Sequence, residues 1–171
     1  MAATLLPDRV CGSCTACCTA LKIDDPALQK PAGLACHHLG SSGGCGIYDT
    51  RPEPCRAFHC AWRFLPILVD AWRPDRSGVL IGFVDHEGGS ALRLQTVRED
   101  AILQPFVLDF ILSAVRRGAP LYFAHAPGQG AAFKTYLNER LAVEGADDPG
   151  AAIRVLKDLM AEQAAMRAVG G

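Results

Sequence analysis

All eight cysteines of this chain fall within its first 60 residues, and residues 61 to 171 hold none. The run opens with "CGSCTACC", which places Cys11, Cys14, Cys17 and Cys18 within eight residues, and continues at Cys36, Cys45, Cys55 and Cys60. Around these thiols stand stretches such as "PAGLACHHLGSSGGCGIYDTRPEPC", rich in glycine and proline. Few runs there can make a long helix or strand, so loops and short turns held around something are expected. Without a bound ion such a segment has little reason to stay folded, because metal affinity and folding are coupled.

Disulfides are the competing use of many thiols. The opening "MAATLLPDRV" has neither a basic start nor an apolar stretch of signal-peptide length, so export is not expected. In a reducing cytoplasm, metal binding is the commoner use of clustered cysteines. The most apolar window, Ile102 to Val115, is broken by Asp109 and too short to span a bilayer, so no membrane is expected. A formal charge of −1, from 17 basic and 18 acidic residues, gives no electrostatic footprint for nucleic acid.

The spacing is C-x2-C-x2-C-C, then gaps of seventeen, eight, nine and four residues. A two-residue gap lets two thiolates bend back onto one metal. Adjacent side chains diverge, so Cys17 and Cys18 fit poorly into one tetrahedral site and more naturally serve two neighbouring centres. Eight thiolates match two four-coordinate sites. Zinc and iron–sulfur clusters both accept such ligands. Arg51, Arg56, Arg63 and Lys22 are placed to offset the resulting negative charge. His37, His38 and His59 flank Cys36 and Cys60, but with eight thiols present they read as hydrogen-bonding or exposed residues. Pro52 and Pro54 are expected to hold the loop extended before Cys55. Tyr48 and Phe58 can shield a cluster from water, whereas Trp62 reads as a core aromatic.

Residues 65 to 171 carry the regular structure, and residues 1 to 64 the cysteine-rich module. "GVLIGFVD" and "ALRLQTV" read as strands joined by "HEGGS", the second half-exposed, with Leu92, Leu94 and Thr96 on one face. A helix from about Pro105 to Arg117, closed by Gly118, has an apolar stripe of Leu103, Phe106, Val107, Phe110, Ile111 and Ala114. "PLYFAHA" reads as a third strand, and His125 in it has no partner visible in sequence. Phe133, Leu137 and Leu141 mark another helix. The last begins at "DDPG", with Asp148 as N-cap, and buries Ile153, Leu156, Leu159 and Met160. The class is α+β: a loop-rich cysteine metal-binding module packed on about three strands and three helices.

Taken together, "CGSCTACC", "CHHL" and "CGIYDTRPEPCRAFHC" with the following Trp62 resemble the CxxCxxCC cysteine-cluster family, described as a zinc- or iron-chelating domain and loosely labelled Fe–S oxidoreductase. The resemblance spans about residues 11 to 63 and includes Tyr48, Arg51, Pro52 and Arg56 around Cys55. It implies metal binding by the eight cysteines without a settled reaction. The flagellin lysine N-methylases carry a related arrangement, but this chain is much shorter and their activity is not carried over. The leading expectation is an iron–sulfur cluster, [4Fe–4S], with or without a second metal centre, serving redox or electron transfer with a protein partner. The alternative is a zinc module with up to two four-thiolate sites and an adaptor role. The third is a metalloenzyme of unknown reaction.

Overall fold

The structure, a computed structural model, describes residues 4–128, 133–144 and 147–169. Its N-terminal third is loop-rich. A short helix α1 (Ala16–Ala20) leads into an antiparallel hairpin of β1 (Ile23–Asp25) and β2 (Leu28–Lys30), and a second short helix, α2 (Glu53–Ala57), follows a long irregular stretch. Strands of three residues are too brief to show a period, so this hairpin has no local signature. Ile23, Leu28 and Cys36 form a small apolar cluster, with Cys18, Leu39 and Cys55 packed against it.

Pro54 does not hold an extended loop before Cys55. Only Pro52 is extended, at ψ 156°; Pro54 lies in the first turn of α2 and Cys55 is helical. Proline is tolerated there because the first-turn N–H groups have no intrahelical acceptor.

After α3 (Pro74–Ser77), the chain enters the main sheet, with strand order β3-β4-β5-β6. The hairpin of β3 (Val79–His86) and β4 (Gly89–Thr96) turns on Glu87 and Gly88, both at positive φ, 47° and 78°. Such a two-residue turn matches the right-handed twist of its strands. Helix α4 (Pro105–Arg116) then crosses over, so that β5 (Leu121–His125) pairs parallel with β4. Its C-terminus is closed as a Schellman motif: Gly118 at φ 69° donates its N–H to Val115 O, and Ala119 donates to Ala114 O. The sheet ends in β6 (Thr135–Tyr136), antiparallel to β5, followed by α5 (Leu137–Glu144) and α6 (Pro149–Val169). The Asp148 carboxylate caps α6 by accepting from Gly150 N–H at 2.8 Å.

The architecture is α+β, with six helices and six strands in two sheets among the described residues. Val79, Ile81, Leu94, Leu121 and Phe123 of the sheet share one core with Ile111 of α4, Leu141 of α5 and Leu156 of α6. Ala61 and Trp62 belong to the same core, so the segment just after Cys60 is anchored in it. Strand β4 is less exposed than its alternation suggested, with Gln95 and Thr96 both buried, because it is interior to the sheet. Phe133 precedes α5 rather than belonging to it, and Ile153 and Met160 are half-buried beside the fully buried Leu156 and Leu159. No helix among the described residues is long and apolar enough to cross a membrane.

Where β6 stops short, a side chain completes the ladder. Gln163 of α6 is fully buried; its Oε1 accepts from His125 N–H at 2.6 Å, and its Nε2 donates to Phe123 O and to Thr135 Oγ1. A primary amide carries the same donor and acceptor as a peptide group. Gln163 therefore stands where the next residue of β6 would pair with β5.

Candidate metal centre

The cysteine segments are positioned by short backbone links. Cys14 N–H bonds Cys11 O in a tight turn with Gly12 at φ 53°, and α1 then carries both Cys17 and Cys18. Cys36 N–H bonds Cys18 O at 3.1 Å, Leu39 N–H bonds Cys36 O, and a bridge pairs Leu39 with Cys45. Helix α2 brings Cys55 against the same small cluster, whereas Cys60 packs on the main core. All eight are free thiols.

Seven of the eight, all but Cys60, line one cavity of about 200 Å³, together with His38, Tyr48, Arg51 and Phe58. The thiols also act on one another's protonation. Burial pushes the Cys60 thiol up to about 11, with Cys11 and Cys14 adding to it. The Cys17 thiol is raised by its hydrogen bond with Cys18, then by burial, with Cys11 and Cys14 again contributing. Burial raises Cys55, and there the acting thiols are Cys18, Cys36 and Cys45. Cys18, Cys36 and Cys55 also pack round one small apolar cluster, and Cys17 acts on Lys30 alongside these three. Cys17 and Cys18 touch each other. Their hydrogen bond lowers Cys18 to about 6, helped by the charges of Lys30 and Arg51.

Basic groups accompany the thiols. Arg63, buried, donates from Nη1 to Cys11 Sγ at 3.4 Å. Arg51 lines the cavity with its guanidinium 3.7 Å from the Tyr48 ring centre. Arg56 is exposed and bonds Arg51 O, and Lys22, though exposed and paired with Asp24, also lines the thiol cavity. His38 reaches the cavity wall and stacks beside His37; His59 does not line it. His125 lies in the main core, its Nδ1 2.9 Å from Thr96 Oγ1 and its Nε2 3.3 Å from Glu99 Oε2, far from any thiol in role.

Lys30 was not foreseen, because a lysine in a short polar run reads as surface charge. It is 4 % exposed, and its ammonium donates to three carbonyls, Thr19 O at 3.1 Å, Pro31 O at 3.0 Å and Leu34 O at 2.8 Å. These acceptors flank Cys18 on one side and Cys36 on the other. Burial lowers its pKa, while Cys36, Cys18, Cys17 and Cys55 pull the other way. Lys30→Met keeps the apolar stem and strands three carbonyls, so the segment from Cys17 to Cys36 should open more readily by roughly 3 kcal/mol. Amide exchange there should quicken about a hundredfold, with the amides of β3 to β5 unchanged. Equal quickening across the sheet would show that Lys30 supports the whole fold instead.

Among the described residues, no three His, Cys, Asp or Glu side chains stand close enough together to form a finished ligand set. The donor chemistry nevertheless fits a soft, thiolate-loving metal: eight unpaired thiols, seven of them round one cavity, with buried cations beside them. Every one of the eight sits on a loop or a short helix, where rotation about χ1 moves the sulfur without disturbing a long element. No protein-family model, no curated protein and no solved structure matches the chain.

Proposed function

We propose that this protein holds metal in two neighbouring thiolate centres, at least one of them an iron–sulfur cluster, and serves in electron transfer or redox sensing with a protein partner. The observation that carries this reading is the gathering of seven of the eight free thiols round one cavity, with Cys18, Cys36 and Cys55 packed on one apolar cluster and Cys60 on the main core. The chain's residues would act as follows. Cys11, Cys14, Cys17 and Cys60 hold one centre, and Cys18, Cys36, Cys45 and Cys55 the other. Lys30, Arg51 and Arg63 balance the negative charge of the thiolates, and Phe58 walls off the cavity. A bound cluster would supply one-electron chemistry. A reducing compartment such as the cytoplasm keeps the thiols available.

Anaerobic purification of the full chain, with metal and sulfide analysis and a visible spectrum, tests this. A brown protein containing iron and acid-labile sulfide is expected. A colourless protein holding about two zinc ions would replace the redox role with a structural, adaptor-like one. A chain that retains no metal and titrates as eight free thiols would overturn both readings.

A further inference from the structure

Between the cysteine-rich part and the main sheet lies a second, larger groove of about 840 Å³. Arg93 and Gln95 of β4 line it from the sheet, and Ile23, Leu34 and Phe58 line it from the cysteine-rich part. Its lining includes three basic residues, Lys22, Lys30 and Arg93, and no acidic one. Lys22 is paired with Asp24 at 2.8 Å, and the Lys30 donors are taken by carbonyls.

Arg93 stands apart from these two. It is half-buried, and its Nε is closed off from solvent with no hydrogen-bond partner among the described residues. Burial alone acts on its pKa, lowering it, with no acid contributing. A guanidinium in such a place is costly unless an anion meets it. Its cross-strand neighbour is Gly82, where an added Cβ would lie 4.0 Å from Arg93 Nη2 and 3.9 Å from Phe58 Cε2. The missing side chain leaves the planar fork and a phenyl ring side by side above the strand.

We propose that this groove binds a small organic oxyanion, a carboxylate or phosphate carried on an apolar body, with Arg93 as its anchor. The guanidinium fork matches either oxyanion bidentately, and the volume is that of a small-molecule site. Phe58, Phe83 and Ile23 offer the apolar body its contacts. Phe58 also walls the cysteine cavity, so the ligand would lie one ring away from the thiols. The assignment does not depend on what those thiols hold.

The test is a titration of the full chain, followed through the nitrogen-15 resonance of arginine Nε, with phenyl phosphate, phenylacetate, inorganic phosphate and benzyl alcohol. Either aromatic anion should bind saturably and move the Arg93 signal, and benzyl alcohol should not. The tighter of the two aromatic anions identifies the oxyanion. Arg93→Gln should weaken binding at least about tenfold, and Arg93→Lys, which keeps the charge but not the fork, should weaken it less. No binding at millimolar concentration, equal binding of benzyl alcohol, or binding unaffected in Arg93→Gln would each overturn the proposal. Inorganic phosphate binding as tightly as phenyl phosphate would overturn the requirement for an apolar body. Should Arg93→Gln fail to fold, the wild-type Nε titration decides the matter alone.

Discussion

Cys17→Ser and Cys18→Ser are expected to empty different centres. The two thiols are neighbours in α1 and touch each other, yet Cys18 is bonded through its backbone to Cys36 and packs with it and Cys55, whereas Cys17 is assigned to the centre of Cys11, Cys14 and Cys60 in the proposed arrangement. Each single variant should therefore lose the metal of one centre and keep that of the other, since four-thiolate sites do not survive the loss of a ligand unchanged. Adding Cys45→Ser to Cys18→Ser should remove nothing further, while adding Cys60→Ser should remove the rest. Metal analysis of the four reconstituted proteins gives the answer. If both single variants lose the same centre, the seam does not run between Cys17 and Cys18.

Gln163→Leu should be the most damaging single change in the main core that leaves its volume nearly intact. It strands the His125 N–H and the Phe123 carbonyl, both buried at the unpaired end of β5, at about 1–3 kcal/mol each. A loss of about 2–6 kcal/mol is a large part of the stability of a domain this size. Urea denaturation read by circular dichroism would show it as a lower midpoint with an unchanged slope. Gln163→Glu keeps the acceptor for His125 but buries an acid against the Phe123 carbonyl, so it should also destabilise, and more so as rising pH ionises it. A loss below about 1 kcal/mol for the leucine variant would mean that water takes over the amide's bonds.

The two changes also mark how far the sequence could be read. The β3–β4 hairpin, the limits of α4 with Gly118 behind it, and the Asp148 cap of α6 rest on local patterns several residues long, and they were legible. The parallel pairing of β4 with β5 was not, because nothing local distinguishes a strand joined by a crossover from one joined by a turn. Strand β6 has two residues, too few for a period, and its deficit is made good by a glutamine 27 positions beyond Tyr136. Of the cysteine surroundings, the thiols themselves and the approach of Arg63 were visible from spacing. Lys30 and Arg93 were not, since a charged side chain announces burial only through neighbours that the chain brings from elsewhere.

The two ends of the cysteine-rich segment meet. Leu6 N–H bonds Arg63 O at 2.9 Å, and the Arg9 guanidinium, 53 positions from Trp62, bonds its carbonyl and that of Leu65 while lying 5.3 Å from the indole centre. Everything between is a loop already closed by the main core, so the entropy of bringing its ends together does not fall on the groups inside it. Because Ala61 and Trp62 of that closure are buried in the main core, any change that loosens the core would also release the ends of the cysteine-rich segment.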